Sequence, residues 1–529
     1  MTFQDRSKYA KIAGLLHTDS YKLAHFKIAE LAQTPAGTML ANGATSDGSG
    51  VTRMYSNWTN RGSRIAGIDK VVHFGLQAAL VEMKELWAPF FEADEDEVIE
   101  LYRERLANFV PADADLSHIR KLHRIGYLPL EFKAVPEGTR VPLRVPSFTI
   151  ENTHPDAHWL TNYVETYISA SIWQASTTAT KSHHLRTMLN EWAVATGATV
   201  EDVNFQGHDF SARGMSSPES SALSGAGHLL NFNGTDSIVA LDWIDQNYGG
   251  EYLAASVPAT EHSVMCAGAA VLGERELFSR ILDLHPTGIV SVVSDTFDLW
   301  KVLTEFLPSM RDKIMARDGK LVIRPDSGNP VDILTGTWKI NKDETGDYVI
   351  SPAGHEISMD DRTEPEEFGV IELLWDEFGG TVNEAGYKVL DPHVGTIYGD
   401  SITHERANEI NERLAAKGFA SINWVAGVGS WTYGGQVSRD TFGSAIKATW
   451  IEVDGVGYDL QKSPVTDSGL KKSAKGRLAV HRDEAGELYL IEQATPEQEA
   501  ASELKTVWKD GEFVRRQTFA NVRETLANS

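Results

Sequence analysis

Four apolar segments of strand length in the middle of the chain each end in a small or acidic cluster, and this pattern most constrains the fold. They cover residues 289–295, 321–328, 395–401 and 422–430. A helical segment often follows, and spacings of about 30 residues are typical of successive βα units. Polar residues at the carboxyl ends of strands are how a βα-barrel builds its active site. The pattern therefore predicts an α/β fold, with a βα-barrel favoured over an open doubly wound sheet.

The one long gap in this pattern lies between Asp326 and Asp400. It contains a predicted hairpin over residues 337–351 with a turn at 343–347, followed by an acidic stretch over 360–367. We interpret this region as an insertion near 338–370. Beyond Lys447 the pattern changes to short alternating strands, such as 448–453 and 488–492, which predict a separate β-rich portion.

The chain is strongly acidic, with 74 acidic against 49 basic residues and a formal charge of −25 over 529 residues. Nucleic acids and anionic membranes attract basic surfaces, so this balance argues against both as partners. The single cysteine, Cys266, excludes an internal disulfide and a Cys-x-x-Cys zinc motif. The N-terminus lacks the apolar core of a signal peptide, and no run approaches the roughly 20 apolar residues of a membrane span. We therefore expect a cytoplasmic protein.

A basic series stands out against this acidic background in the C-terminal half. Its members are Arg324, Arg439, Lys447, Lys462, Lys471, Lys472, Lys475 and Arg477. Such side chains bind phosphates, and the glycines of Gly427-Val428-Gly429 permit close approach by backbone N–H donors. The alternatives are a set of surface lysines at 471–475 and, for Arg324 with Asp326, a structural ion pair in a tight turn.

Three aspartates at predicted strand ends, Asp295, Asp326 and Asp400, would lie around one barrel mouth. Carboxylates there can orient magnesium, a ribose hydroxyl or a histidine, although strand-end aspartates also cap helices. His262, between Glu261 and Ser263, is the candidate for the reacting residue.

Several segments match one enzyme family in order along residues 15–515. They are Asp19-Ser20-Tyr21-Lys22, His208-Asp209-Phe210 with Arg213-Gly214, Asn231 to Asp236, Ser256-Val257-Pro258-Ala259 with Glu261-His262-Ser263, Ser291 to Asp295, Ile323 to Pro330, Gly399-Asp400, and Lys475-Gly476-Arg477-Leu478. Through these segments the chain resembles the nicotinamide phosphoribosyltransferases, members of the type II phosphoribosyltransferases.

The resemblance implies transfer of a phosphoribosyl group from phosphoribosyl pyrophosphate to nicotinamide, with Mg²⁺ present and ATP as a co-substrate. It also implies an irregular βα-barrel over residues 171–447, and a β-rich domain in which the N-terminal α+β segment 1–170 pairs with the C-terminal segment 448–529. A homodimer is implied, with active sites at the subunit interface.

The match carries roles to individual positions. Phe210 and a second subunit's Tyr21 would enclose the pyridine ring, and Asp236 would accept a hydrogen bond from the carboxamide. The other implied contacts to substrate or phosphoribosyl group are Arg213, Ser256, Ser291, Arg324, Asp326, Gly399, Asp400 and Gly429. Positions near the phosphates are Arg61, Arg439, Lys447 and Lys462. The metal ligands are not assigned.

His262 matches the histidine that the family phosphorylates with ATP, and Asp295 would orient its imidazole. The catalytic set implied by the resemblance is therefore His262, Asp295 and Asp326. A carboxylate at Asp236 would repel nicotinate, so an amide preference is expected.

This chain departs from the family pattern at two places. Ser211 and Ala212 replace a common glycine and tyrosine, and Gly427-Val428-Gly429-Ser430-Trp431 replaces a glycine run. Three alternatives stay open: a nicotinate or quinolinate phosphoribosyltransferase, a barrel glycoside hydrolase that uses paired carboxylates, and a non-catalytic nucleotide-binding protein.

Overall fold

A computed structural model describes residues 8–337, 339–342, 348–351, 362–399, 401–435, 437–463 and 472–529, with backbone alone for 339–342 and 348–351. The chain divides into two compact units. The first unit comprises Met1–Thr180, Ile244–Tyr252 and Val437–Ser529. The second comprises Lys181–Trp243 and Leu253–Gln436.

The described strands, in chain order, are β1 (Val51–Thr59), β2 (Lys70–Val72), β3 (Leu130–Ala134), β4 (Arg140–Pro142), β5 (Pro146–Asn152), β6 (Gly207–Asp209), β7 (Gly234–Thr235), β8 (Val290–Val293), β9 (Leu321–Arg324), β10 (Lys339–Lys342), β11 (Tyr348–Ser351), β12 (Gly380–Val382), β13 (Lys388–Leu390), β14 (Val394–Tyr398), β15 (Trp424–Val428), β16 (Ala445–Val453), β17 (Val456–Asp459), β18 (Leu478–Arg482), β19 (Leu488–Glu492), β20 (Lys505–Lys509) and β21 (Glu512–Phe513).

The described α-helices are α1 (Ala13–Leu16), α2 (His25–Ala29), α3 (Leu76–Glu92), α4 (Glu95–Arg105), α5 (Ser117–Ile125), α6 (Leu160–Tyr163), α7 (Glu165–Ala195), α8 (Pro218–Leu229), α9 (Val239–Asn247), α10 (His262–Leu272), α11 (Glu274–Leu284), α12 (Leu299–Lys301), α13 (Leu307–Ser309), α14 (Arg311–Met315), α15 (Pro330–Thr335), α16 (Pro365–Phe368), α17 (Val370–Phe378), α18 (His404–Ala416), α19 (Ser430–Tyr433), α20 (Pro496–Ala501) and α21 (Phe519–Ala527). Across the described ranges, no helix is long and apolar enough to cross a membrane.

The second unit is built on a six-stranded parallel sheet in the order β7, β6, β15, β14, β9, β8. Four of these strands, β8, β9, β14 and β15, are those predicted from the apolar segments, and they are neighbours in the sheet. Every residue of β8 and β14 is buried, as expected for parallel strands covered on both faces.

A short extended segment lies between the two edges of this sheet. Ala255 forms a parallel bridge with Gly234 of β7, and Ala259 forms one with Ser291 of β8. The Thr260 amide also donates to the Ser291 carbonyl at 3.0 Å. Because the segment joins both edges, the curled sheet becomes an irregular barrel, which confirms the predicted barrel over the open sheet.

The core of the second unit fills the space between this sheet and its helices. Its largest fully buried side chains include Trp424, Tyr398, Phe232, Phe278 and Phe419. Burial of these large rings fixes the positions of the strands, and hence of the loops that follow their carboxyl ends.

The first unit contains a seven-stranded sheet in the order β17, β16, β1, β5, β3, β20, β21. Strands from the N-terminal third pair antiparallel with strands from the C-terminal segment, as in the β1–β16 and β3–β20 pairs. This arrangement confirms the predicted β-rich domain built from both ends of the chain.

The predicted hairpin in the long gap is present as β10 and β11, which pair antiparallel from Lys339 opposite Ser351 to Lys342 opposite Tyr348. Its predicted turn at 343–347 lies outside the described residues.

Candidate active site

A cleft of about 700 Å³ lies at the carboxyl-terminal end of the parallel strands in the second unit. Most of its walls come from loops that follow a strand, because the parallel strands all end at the same side of the sheet. Residues 259–263 instead belong to or follow the segment that bridges β7 and β8. The lining residues are Phe210, Ala212, Arg213, Gly214, Asp236, Ser237, Ala259, Thr260, Glu261, His262, Ser263, Arg324, Asp326, Gly399, Gly429 and Ser430. The cleft therefore gathers most of the predicted catalytic and substrate-binding residues of this unit.

Asp236 follows β7 and is oriented by two donors. His208 Nε2 lies 2.9 Å from Asp236 Oδ1, and the Ser256 hydroxyl donates to the same oxygen. Burial opposes ionisation of the Asp236 carboxyl, but the bonds from His208 and Ser256 and the charge of Arg324 outweigh it, so its pKa is lowered. The site therefore presents an oriented carboxylate at neutral pH.

Phe210 and Arg324 form an adjacent part of the wall. The Arg324 guanidinium carbon lies 6.0 Å from the centre of the Phe210 ring, and its Nη2 donates to the Thr260 carbonyl at 2.6 Å. Its Nε is buried without a partner among the described residues. Burial lowers the pKa of Arg324, and Asp326, Asp236 and Asp295 oppose that shift. An anion in the cleft would supply the acceptor that this N–H lacks.

His262 is the first residue of α10, and its imidazole is 47% exposed. Its Nε2 lies 3.3 Å from Asp295 Oδ1, and the Asp295 side chain is only 6% exposed. Asp295 Oδ2 accepts from the Asp326 amide at 2.9 Å and from the Ser327 hydroxyl at 2.6 Å. The loops after β8 and β9 therefore hold the carboxylate that faces the histidine.

A Cβ would press on a neighbouring side chain at one of the two predicted backbone positions. A Cβ on Gly399 would lie 2.6 Å from Asp326 Oδ1, so only glycine leaves that carboxylate in place. A Cβ on Gly429 would meet nothing within 4 Å. Asp400 lies outside the described residues.

The other predicted residues of this unit differ in their placement. Arg213 is exposed on a short 3₁₀ helix, Ala212–Gly214, at the cleft. Ser256 borders it through its bond to Asp236. Ser291 is buried on β8, and its hydroxyl lacks a partner within the described part of the chain.

The four predicted phosphate-binding residues and Tyr21 belong to the first unit. Burial lowers the pKa of Lys447, Glu165 opposes this shift at 3.7 Å, and the charges of Arg61, Arg439 and Lys462 add to it. Arg61, Arg439 and Lys462 therefore all lie close enough to Lys447 to act on its charge. Tyr21 is 64% exposed.

Arg477 does not belong to that basic cluster, contrary to the sequence interpretation. Its guanidinium makes two bonds of 3.0 Å to Glu151 and bonds of 2.5 and 2.9 Å to Glu499. It also lies over the rings of Tyr55 and Trp450. Burial acts against its charge, but these two glutamates raise the pKa of Arg477. A guanidinium with both its donors and its faces occupied has a structural role. Lys471 lies outside the described residues.

Two fully buried polar side chains below the cleft were not singled out from the sequence. Asp209, at the end of β6, accepts from the Ser211 amide at 2.9 Å and the Ser237 hydroxyl at 2.5 Å. His228 on α8 contacts the Tyr433 hydroxyl at 2.7 Å and the Gly234 carbonyl at 3.0 Å. The only sequence signal for Asp209 was its position between His208 and Phe210.

Among the described residues, no group of three or more histidine, cysteine, aspartate or glutamate side chains could hold a metal ion. Mg²⁺ commonly binds through one or two carboxylates and the phosphates of a substrate, and Asp326 supplies a carboxylate at the cleft.

Comparison with known proteins identifies the relatives of this chain. The model of the nicotinate phosphoribosyltransferase (NAPRTase) family matches residues 205–512. The nicotinamide phosphoribosyltransferase of Acinetobacter baylyi is 45% identical over 494 residues, covering 90% of this chain and 93% of that protein. The nicotinamide phosphoribosyltransferase of Mycoplasma pneumoniae is 38% identical over 365 residues, covering 68% of this chain and 73% of that protein.

Solved structures share the fold. The crystal structure of human nicotinic acid phosphoribosyltransferase aligns with a TM-score of 0.52 at 15% identity, covering 97% of this chain and 93% of that chain. At this identity the similarity concerns the architecture alone.

Proposed function

Because this chain belongs to the nicotinate phosphoribosyltransferase family and is a phosphoribosyltransferase enzyme, we propose that it transfers the phosphoribosyl group of phosphoribosyl pyrophosphate to nicotinamide. The products are nicotinamide mononucleotide and pyrophosphate, and the reaction serves NAD salvage. The family membership argues against the glycoside hydrolase and the non-catalytic alternatives.

One observation carries the choice of acceptor: the oriented carboxylate of Asp236 lies in the same cleft as the Phe210 ring. A carboxylate accepts a hydrogen bond from the N–H of a carboxamide, whereas it repels the carboxylate of nicotinate. The aromatic face of Phe210 suits a pyridine ring that becomes cationic on reaction. The cleft therefore favours nicotinamide over nicotinate.

The reaction requires the protein to position the two reactants and to stabilise the charge that develops on them. The pyridine nitrogen is already a nucleophile, so no side chain has to remove a proton from it. Its lone pair forms the new bond to the ribose anomeric carbon as the bond to pyrophosphate breaks. Phe210 and Asp236 would hold the ring in line, and Arg324 and Arg213 would stabilise charge on the phosphoribosyl group.

The departing pyrophosphate needs further positive charge. The charges of Arg61, Arg439 and Lys462 act on Lys447, and this gathering of cations supports the role. The backbone at Gly399 and Gly429 lines the cleft, where it would contact the ribose and phosphate. Asp400 would be a further contact to the ribose. Mg²⁺, when bound with the substrate phosphates near Asp326, would offset part of their charge.

We assign ATP stimulation to His262. Its Nε2 faces the Asp295 carboxylate, which only accepts, so Nε2 carries the proton and Nδ1 keeps the lone pair. Nδ1 would attack the γ-phosphorus of ATP, forming a P–N bond while the bond to ADP breaks. Later hydrolysis of that phosphohistidine releases inorganic phosphate and couples ATP to transfer.

The assembly we propose is a homodimer in which Tyr21 reaches the partner's cleft. Exposed apolar side chains support it: Tyr21 in the first unit, and Val271, 83% exposed, on the helix that begins at His262. Burial of each of these exposed side chains against a partner subunit would stabilise a dimer.

The assay that tests the function follows nicotinamide mononucleotide formation from nicotinamide, phosphoribosyl pyrophosphate and Mg²⁺, with and without ATP. Product that increases with ATP is the expected result. A parallel assay with nicotinate should give much lower kcat/KM, and equal use of both acceptors would contradict the role of Asp236. Product formation that does not respond to ATP would support the transferase activity and contradict the proposed phosphohistidine.

Mixing two inactive variants tests the dimer. Tyr21→Ala and Asp236→Ala proteins, unfolded and refolded together, should regain about a quarter of wild-type activity, because half of random dimers are mixed and each mixed dimer has one intact site. No recovery on mixing would show that Tyr21 acts within its own subunit, and a Tyr21→Ala protein that is active by itself would show that Tyr21 has no role.

A further inference from the structure

Asp209 is a fully buried carboxylate beneath the cleft, outside the set of residues that line it. It ends β6, and its two oxygens bind separate groups. Oδ1 accepts from the Ser211 amide at 2.9 Å, and Oδ2 accepts from the hydroxyls of Ser237 at 2.5 Å and Thr235 at 3.4 Å.

These bonds join the two loops that form the proposed acceptor pocket. Ser211 follows Phe210, and Thr235 and Ser237 are the two neighbours of Asp236 in the chain. The Asp236 amide also donates to the Asp209 carbonyl at 3.0 Å. Asp209 therefore holds the backbone on both sides of Asp236 and next to Phe210.

The surroundings of Asp209 keep water away from this carboxylate. A Cβ on Gly225 of α8 would lie 3.4 Å from Asp209 Oδ2 and 3.0 Å from the Ser237 Cβ. The helix therefore packs directly against the hydrogen bond between Ser237 and Asp209. A buried carboxylate is costly unless donors satisfy it, and removal of one donor leaves charge without its partner. Loss of a donor would therefore favour displacement of the loops that contain Ser211 and Asp236.

We propose that Asp209 is a positioning residue that sets acceptor specificity by fixing Asp236 relative to Phe210. The inference rests on the proposed function, because it needs Asp236 to distinguish an amide from a carboxylate. Asp209 itself does not touch the acceptor. It acts through the bonds to Ser237 and Ser211.

Ser237→Ala is the variant that tests this inference, since it removes the shortest bond to Asp209 and retains Asp209 and Asp236. We expect the ratio of kcat/KM for nicotinamide to that for nicotinate to fall by about tenfold, the size of one such hydrogen bond. The KM for nicotinamide should rise by a larger factor than the KM for phosphoribosyl pyrophosphate, because the change displaces the loop that carries Asp236.

Ser224→Ala provides the matched control. Ser224 is equally buried on α8, and its hydroxyl lies 3.3 Å from the Ser211 hydroxyl without bonding to Asp209. The control should lose similar stability and keep the wild-type ratio. An unchanged ratio in Ser237→Ala, or an equal fall in both variants, would overturn the inference. Wild-type protein without any amide preference would instead show that the proposed function had failed.

Discussion

At the scale of single residues, the cleft is organised by pairs in which one side chain lines the cleft and a second side chain orients it. His208 orients Asp236, and Asp295 orients His262. The sequence analysis indicated Asp236, His262 and Asp295. It did not indicate His208 as a partner, because 28 residues separate it from Asp236 and only the adjacent strands bring the two together.

Replacement of Asp236 by asparagine should change the choice of acceptor. The amide keeps the shape of the side chain and removes the charge that repels nicotinate, so the preference for nicotinamide should fall by about 10- to 100-fold in kcat/KM. Steady-state kinetics with both acceptors measures this ratio. Asp242→Asn, an exposed aspartate of the same unit, is the control and should keep the wild-type ratio. An Asp236→Asn enzyme that still rejects nicotinate fully would assign the discrimination to another group.

His262→Ala should separate ATP coupling from basal transfer. Without the imidazole no P–N bond can form, so ATP stimulation should be lost while some product still forms without ATP. The measurements are product formation with and without ATP and retention of label from [γ-³²P]ATP. His154→Ala removes a half-buried histidine of the first unit and should leave both unchanged. Stimulation that survives in His262→Ala would contradict the assigned role.

At the scale of elements, the barrel depends on a segment with no regular strand. Residues 255–260 contain Pro258 and join β7 and β8 through isolated bridges. Strand-length apolar runs predicted β8, β9, β14 and β15, but they could not predict this closure. The segment is short and broken by proline, and its pairing depends on the curvature of the whole sheet.

Thr260 connects this segment to β8. Its hydroxyl accepts from the Val293 amide at 2.9 Å. Thr260→Val keeps the shape and removes the acceptor, so the free energy of unfolding should fall by about 1–3 kcal/mol. Thr260→Ser retains the hydroxyl and should stay close to wild type. Chemical denaturation of the three proteins makes the comparison, and equal stability of the valine and serine variants would show that this bond does not hold the barrel edge.

At the scale of the whole molecule, buried histidines should make stability depend on pH. Burial lowers the pKa of His73 to about 3, and those of His118 and His228 to about 4. An unfolded histidine titrates near 6.5, so below that pH the unfolded chain binds protons that the folded chain does not. The free energy of unfolding should therefore fall as the pH drops from about 6.5 to about 4, by up to about 1.4 kcal/mol per pH unit for each histidine.

Denaturation at pH 7, 6 and 5 measures this dependence. A His118→Gln variant removes one of the three groups and should show a shallower loss. Equal stability of the wild-type protein at the three pH values would mean that these histidines are protonated or exposed in the folded state.

Hydrophobic periodicity by itself determined four of the six barrel strands, and the resemblance carried by motif order implied the family and the β-rich domain from both chain ends. Both signals are local properties of the chain. Only the tertiary structure decided which charged groups meet. It joined Arg477 to Glu151 and Glu499 rather than to the other cations of the basic series, and it placed Asp209 between the loops of Phe210 and Asp236. The partner of a buried charge is set by non-local packing, since desolvation must be offset by whichever groups the fold brings within hydrogen-bond distance.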